Sequence, residues 1–413
     1  MKIGKEFRNQ VYTLSPLFSY VPAEDRYLFA PGEGRYRFNV IGTGVNGQEH
    51  IRVTLMEGRA TIHGVYDPNP GSVAGAQQAY AQFAPGKELV VYDSLEAACA
   101  DPAVDGLIIC TPNYTHLDVV RVAARSGKHI LLEKPMATTI QDAHAIMQLA
   151  QGHPAVFQIG LQYRFKPIYV EAIHEALARK TIGEIKTISI LEHRFPFLDK
   201  VKQWNKFSKY SGGTLVEKCC HYFDLMNLFA GARPVSVFAT GSAAVNFLDF
   251  EYAGEKSDIL DNAFVVVIYA NGVRASFNLC MFAPMFYEEL VLCGDEGRLK
   301  ATENEDFLPV ATLRADTHLE ILCGDRKPTR IGAPCYPTFI QQSGHHGATY
   351  FEHVSFVDNM ESRHFEIAGK APSAATALEG FWSIVVGVAA EASVKTGKPV
   401  LIDELLRENG IEI

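Results

Sequence analysis

Gly42-Thr43-Gly44-Val45-Asn46-Gly47 lies between an apolar run, Tyr36 to Ile41, and a segment of helical character, Gln48 to Glu57. A strand that turns through three spaced glycines into a helix restricts the possible folds more than any other stretch of this chain. The turn must be tight, the backbone must come close to a pyrophosphate, and the helix must pack on the strand, and each of these excludes a side chain. The free amides of the helix start then face the negative charge. Gly42, Gly44, Val45, Asn46 and Gly47 are therefore candidate cofactor contacts, the alternative being a purely structural turn. Asp67 follows about twenty residues later, at the end of the second apolar run, where a carboxylate accepts hydrogen bonds from an adenosine ribose and repels a 2′-phosphate. That position favours NAD over NADP.

The glycine loop opens a run of alternating elements. Apolar stretches at 36–41, 61–66, 89–92, 106–110, 129–132 and 156–159 read as strands, and helical segments lie between them. Strands apolar on both faces suit a parallel sheet covered by helices, so residues 35–160 read as a doubly wound Rossmann domain. After Gly160 a helix at about 167–179 precedes strands joined by turns, the clearest a hairpin about Asn271-Gly272. Residues 161–413 thus read as an α+β substrate-binding domain with an open, mostly antiparallel sheet. Residues 1–34, rich in proline and aromatics, read as an extended arm.

Composition narrows the function. Lys and Arg number 38 against 47 for Asp and Glu, a net charge of -9, which disfavours binding of nucleic acid by phosphate neutralisation. The eight cysteines form no C-x-x-C pair, and most sit in apolar runs, as reduced residues of a cytoplasmic protein do. Neither a signal-peptide core in residues 1–34 nor a membrane span is expected, the apolar stretch 381–394 being too short to cross a bilayer.

Two constellations carry chemistry. Leu132-Glu133-Lys134-Pro135 ends the fifth strand, which aims Lys134 into the crevice where an open parallel sheet binds ligands. A lysine there can hold a hydroxyl or a developing alkoxide, and burial near another cation would lower its pKa into a useful range. The plain alternative is a solvated lysine after a strand. Further on, Gly212-Gly213 opens a helix on which Glu217 and His221, four apart, share a face, with Asp224 three beyond. The pair suits general base catalysis with the carboxylate orienting the imidazole. It equally suits a satisfied helix pair or two ligands of a metal site, though no third zinc ligand is supplied and no metal is expected. Tyr163 and Arg164, just after the last strand, together with Trp204, Lys206 and His346, are candidate substrate contacts for a polyol or glycoside.

The glycine loop, Asp67, Cys110-Thr111-Pro112-Asn113-Tyr114-Thr115-His116, Glu133-Lys134-Pro135 and the segment 212–224 together resemble the Gfo/Idh/MocA family of oxidoreductases, over roughly residues 36 to 402. The resemblance implies hydride transfer between a nicotinamide cofactor and a secondary hydroxyl of a sugar, cyclitol or glycoside, in a homo-oligomer built on the open sheet. It implies Lys134 as the catalytic lysine and His221 as the general acid/base, and it places Glu217 where many members have Asp. It also implies Thr111, Pro112, Asn113, His116, Glu133 and Lys134 as residues beside the cofactor. Two other functions stay open: a redox-assisted glycosidase with recycled NAD, and a dinucleotide sensor without chemistry.

Overall fold

The computed structural model describes residues 34–305, 316–341, 343–362 and 374–412, so the expected arm lies outside the described residues apart from Gly34. Six strands form the first sheet: β1 (Tyr36–Ile41), β2 (Ala60–Tyr66), β3 (Val90–Val91), β4 (Gly106–Ile109), β5 (His129–Glu133) and β6 (Phe157–Gly160). Their order is β3-β2-β1-β4-β5-β6 and every pairing is parallel. The helices between them are α1 (Val45–Glu57), α2 (Pro70–Phe83), α3 (Leu95–Ala100), α4 (His116–Ala124) and α5 (Ile140–Gln151). Leu107 to Ile109 and Ile130 to Leu132 are buried on both faces, as the helical cover demands. The strand-to-helix turn needs its glycines. Gly42 has φ +88, and a Cβ on Gly47 would lie 2.1 Å from the Gly42 carbonyl oxygen.

The second half builds a nine-stranded sheet from β7 (Ile185–His193), β8 (Pro234–Ser242), β11 (Asn262–Tyr269), β12 (Arg274–Cys280), β13 (Phe286–Gly294), β14 (Arg298–Glu305), β15 (Asp316–Leu322), β16 (Arg330–Gly332) and β17 (Val400–Leu401). Two short strands, β9 (Glu251–Tyr252) and β10 (Glu255–Lys256), pair apart from it. The order is β16-β15-β14-β13-β7-β12-β11-β8-β17, antiparallel among the described strands except between β7 and β12. The Asn271-Gly272 turn joins β11 to β12 as expected, with Gly272 at φ +86. The helix expected over 167–179 is α6 (Pro167–Ile173) running into a π turn at His174–Ala178. Short helices α7 (Ser208–Ser211) and α8 (Thr214–Glu217) precede α9 (Cys220–Ala230); α10 (Thr338–Gln341), α11 (Ala348–Ser362), α12 (Ala377–Thr396) and α13 (Ile402–Glu408) follow the sheet.

Helix α12 contains the apolar stretch 381–394 and lies close to the helical segment that the sequence suggests over 375–394. A capping box between Thr376 and Glu379 starts it at Ala377, and Gly397 in the left-handed region ends it after 20 residues. By length and composition it could cross a bilayer. Its side chains instead lie in the core, where Phe381, Ile384, Val385, Val386, Ala389 and Ala390 are fully buried and the helix packs on α5, α9 and β8.

Helix α11 crosses back to the first sheet. Phe356, Val357 and Met360 join Phe38, Ile51, Ile62, Val65 and Ile108 in one apolar cluster, with the Phe38 and Phe356 rings 5.6 Å apart. Ile159 of β6 also donates to the Ala375 carbonyl at 2.9 Å. Segments late in the chain thus complete the sheet that begins it. Phe356→Ala should cost about 3–5 kcal/mol, as large-to-small changes in a filled core do, measured by urea denaturation. An unchanged unfolding midpoint would remove α11 from that core.

Candidate active site

Successive side chains at the end of β5 point to opposite sides of the sheet. Glu133 is buried, its Oε1 2.7 Å from His50 Nε2 on α1, and its Oε2 accepts from the Lys134 amide at 3.0 Å. His50 Nδ1 is 2.8 Å from His353 Nε2 on α11, and Thr54 Oγ1 lies 3.3 Å from His353 Nδ1 while donating to the His50 carbonyl at 2.7 Å. Because the threonine proton is committed to that carbonyl, His353 donates from Nδ1 and its Nε2 accepts from His50. Burial opposes charge on His50, but Cys110 and Glu133 outweigh it and raise its pKa well above the usual range. It is an imidazolium facing a carboxylate. Glu133 therefore braces the junction from behind and does not reach the cofactor face where it was expected.

Lys134 points the other way, with Nζ 3.4 Å from the Glu217 backbone carbonyl. Burial disfavours its charge, yet Glu217, Cys220 and Glu133 raise its pKa above the ordinary lysine value. The expected lowering does not occur, because the nearby carboxylates outweigh the cations. Lys134 is an ammonium that can donate to a substrate oxygen.

The 214–224 segment is not one continuous helix. Helix α8 stops at Glu217, and α9 starts at Cys220 after a turn through Lys218 and Cys219. The i, i+4 geometry that would pair Glu217 with His221 is thereby lost. Glu217 is buried between two lysines, with Lys200 Nζ 3.9 Å from its Oε1, and although burial favours the neutral acid, Lys134 and Lys200 lower its pKa. Asp224 is likewise not a partner of His221. It takes two hydrogen bonds from Arg164, at 2.7 and 2.6 Å.

His221 is 2% exposed, and its Nδ1 has no hydrogen-bond partner among the described residues. Its ring stacks on Tyr163 with centroids 3.9 Å apart and planes 11° from parallel. Tyr163 Oη accepts from Lys218 Nζ at 2.7 Å, and Lys218 lies 3.0 Å from Glu192. Burial, together with Lys134, Lys218, His345 and Lys166, holds the imidazole well below its usual range. It is a neutral base at neutral pH.

Beneath this pair runs a row of carboxylates. Register sets Glu288 opposite Glu192 on one side and Glu303 on the other, and all three are fully buried. Like charges directly opposite across strands destabilise a sheet. Cations compensate here: Lys166 lies 2.8 Å from Glu288 and 2.5 Å from Glu303, and Lys218 holds Glu192. Tyr169 Oη donates to Glu288 at 2.9 Å.

Three expected substrate contacts have other tasks. Arg164 is fully buried, forked onto Asp224 and 2.9 Å from Glu379 of α12, so it cannot touch a substrate. Lys206 is paired with Asp199 and donates to Gln203 at 2.9 Å, which folds the loop before α7 on itself. His346 Nδ1 is 2.7 Å from Glu303 and so belongs to the carboxylate row. Trp204 does stand at the site's edge. Tyr114 packs edge-on against it at 6.5 Å, and Lys200 Nζ lies 5.0 Å over its ring.

The cofactor side has the features a dinucleotide requires. Nothing lies within 4 Å of where a Cβ on Gly44 would be, which leaves the start of α1 open with Val45 exposed and Asn46 beside it. Asp67 Oδ2 accepts from the Thr43 amide at 2.7 Å and Oδ1 from the Asn69 amide at 2.8 Å, which fixes the carboxylate at the loop. After β4, the Pro112 turn carries two buried polar atoms without a partner, Thr111 Oγ1 and Asn113 Nδ2, as expected of groups that complete their hydrogen bonds on a ligand. These residues fit NAD. His116 stands behind them, its ring nitrogens each 2.9 Å from a carbonyl oxygen, those of Pro135 and Thr111. It ties the turn to the Lys134 junction and is buried away from the cofactor face where it was expected.

The model of an oxidoreductase family's NAD-binding Rossmann fold, that of Gfo/Idh/MocA, matches residues 36–161, and the model of the family's C-terminal alpha/beta domain matches residues 174–402. The chain belongs to this family. It is 29% identical over 290 residues to the inositol 2-dehydrogenase of Rhizobium meliloti strain 1021, covering 70% of this chain and 79% of that one. It is 27% identical over 373 residues to the scyllo-inositol 2-dehydrogenase (NAD(+)) of Bacillus subtilis strain 168, covering 90% and 97%. A levoglucosan dehydrogenase solved with NADH and levoglucosan shares the fold, with a TM-score of 0.71, 19% identity and coverage of 89% and 99%. The chain is a nicotinamide-dependent oxidoreductase with an NAD-binding Rossmann domain.

Sequence reasoning missed Lys200, Lys218, Glu192, Glu288, Glu303 and the His50–His353 link. A glutamate alternating with apolar residues on the inward face of each strand (Ile188-Ile190-Glu192, Leu292-Leu290-Glu288, Leu299-Ala301-Glu303) was the available signal for the carboxylate row. Arg164→Met should destabilise by about 3–5 kcal/mol by leaving Asp224 buried without its partner. Urea denaturation measures this, and a loss of substrate affinity with stability intact would instead return Arg164 to the binding site.

Proposed function

We propose that the protein oxidises a secondary hydroxyl of a cyclitol, sugar or glycoside with NAD, or runs the reverse reduction. The observation that carries this reading is His221, a buried neutral imidazole with an unpartnered nitrogen, in the field of the Lys134 ammonium at the carboxyl edge of a parallel sheet. The names of the inositol dehydrogenases above support the substrate class.

NAD, when bound, supplies the hydride acceptor. His221 takes the hydroxyl proton, and Lys134 donates a hydrogen bond to the same oxygen as it becomes an alkoxide and then a carbonyl. The alcohol loses one hydride and one proton and leaves as a ketone, and the proton passes from His221 to solvent. Gly42, Gly44, Val45, Asn46 and Gly47 hold the pyrophosphate; Thr111, Pro112 and Asn113 line the nicotinamide side. Glu217 favours the charged forms of Lys134 and Lys200, although burial still lowers the Lys200 pKa below its ordinary value. Trp204 is an aromatic wall at the site's edge.

The chain works in the cytoplasm, where reduced thiols such as buried Cys99, Cys219, Cys220 and Cys323 persist. It assembles as a homo-oligomer on the outer face of the nine-stranded sheet. Phe238, Phe264, Val266 and Ile268 form an exposed apolar row there, a pattern that marks a contact surface. The net charge gives no support to nucleic acid as a partner, and α12 in the core gives none to a membrane.

The deciding experiment is NAD reduction across inositols, sugars, sugar acids and glycosides, with NADP in parallel. His221→Ala should lower turnover by about 10²- to 10⁴-fold on any substrate found. The acid limb of kcat/KM reports the base that must be neutral, so a lowered imidazole pKa puts that limb below pH 6.5. A limb at or above 6.5, or full activity in the alanine variant, would displace His221 as the base. Asp67→Ala should narrow the preference for NAD over NADP. Equal use of both by the wild-type enzyme would contradict the role given to Asp67.

A further inference from the structure

Glu217 does not reach His221, so another group must fix the imidazole. A general base needs its ring held in one plane and one orientation, because proton transfer depends on hydrogen-bond geometry. Among the described residues Nδ1 has no partner that could fix the ring by hydrogen bonding. What the ring does have is the face of Tyr163, stacked at 3.9 Å and 11°. Tyr163 is itself held at its hydroxyl by Lys218 at 2.7 Å, and Lys218 forms an ion pair at 3.0 Å with the fully buried Glu192, whose oxygens accept no hydrogen bond among the described residues. Glu192 sits in the carboxylate row, on a strand hydrogen-bonded on both sides.

We propose that Tyr163 and Lys218 are the positioning residues of His221: the sheet carboxylate Glu192 fixes the Lys218 ammonium, the ammonium anchors the Tyr163 hydroxyl, and the tyrosine ring holds the imidazole plane. The proposal rests on the reading of His221 as the proton acceptor. It gives Lys218 a second effect. The charges that bear on the ring come from every side: Lys134 from β5, Lys218 from the turn before α9, Lys166 from before α6, and His345 from the turn before α11. Lys166 also lies 4.8 Å over the Tyr163 ring and His345 packs 6.4 Å from it, but among the described residues the Tyr163 hydroxyl is bonded by Lys218. Its loss would release the stack and remove a cation that keeps His221 neutral.

The test reads the imidazole directly by NMR titration, with the His221 signal assigned by its absence in His221→Asn. In the unliganded wild-type enzyme His221 stays neutral well below pH 6.5. In Lys218→Gln its pKa should rise by on the order of 1 unit, the effect of one nearby charge. That variant leaves Glu192 in the core with Arg194, 3.7 Å away, as its remaining ion pair among the described residues and so risks misfolding. The double variant Glu192→Gln with Lys218→Gln removes the pair together, which buried sites tolerate better, and should show the same rise. Tyr163→Leu, which deletes the stack, should lower kcat at least tenfold with little change in KM. A His221 titration unchanged in either folded lysine variant, or a Tyr163→Leu defect confined to KM, overturns the proposal. If the titration moves but no alcohol in the panel is oxidised, the positioning pair stands and the dehydrogenase reading fails.

Discussion

The contact between His50 and Glu133 is the constraint on which the rest of this structure depends. It joins α1, which follows the glycine loop, to β5, which ends one residue before Lys134, and through His353 it draws α11 onto both. Two histidines and a glutamate buried together are costly unless hydrogen-bonded, and the fixed tautomers make each nitrogen a donor or an acceptor with a partner. The consequence lies one residue along. With Glu133 fastened to one side of the sheet, Lys134 is sent to the other, into the crevice, and its amide is tied to the same carboxylate.

The second sheet meets the crevice with a comparable device. The inward residues of β7 run Ile188, Ile190, Glu192; those of β13 run Leu292, Leu290, Glu288; those of β14 run Leu299, Ala301, Glu303. Each strand is apolar under the helices and acidic at the site. The three carboxylates fix three cationic or aromatic partners, Lys166, Lys218 and Tyr169, that come from loops and helices and would otherwise have no rigid support. A sheet holds its register to within one residue, so a group fastened to it is placed more precisely than one fastened to a loop.

These arrangements explain what the sequence disclosed. The glycine loop, six parallel strands and the Asn271-Gly272 hairpin follow from local rules, so they were legible with near-correct boundaries. Lys134 was legible because its direction follows from strand position alone. The partnership of Glu217 with His221 was misread because a helix was assumed to run through Lys218 and Cys219, and a break there leaves no trace in the spacing. Arg164 was misplaced for a different reason. Its position beside the crevice was right, but whether a side chain turns toward the crevice or the core depends on Asp224 and Glu379, from segments far along the chain. The carboxylate row was invisible until register set three distant glutamates side by side.

The balance of charge around His221 presents a difficulty, since cations that depress the imidazole's pKa weaken it as a base. In the proposed reaction the alcohol sits in the same field. Lys134 donates to the oxygen that loses the proton, so the positive charge that disfavours an imidazolium also favours the alkoxide. What governs transfer is the difference between the two acidities, and a field acting on both preserves it. The arrangement therefore sacrifices little driving force. In return the base stays unprotonated across the whole neutral range, ready for substrate. Glu217, held between Lys134 and Lys200 and out of reach of His221, suits that division. A carboxylate hydrogen-bonded to the imidazole would raise its pKa and cancel the effect; one beside the lysines favours their charged forms against burial and leaves the imidazole neutral.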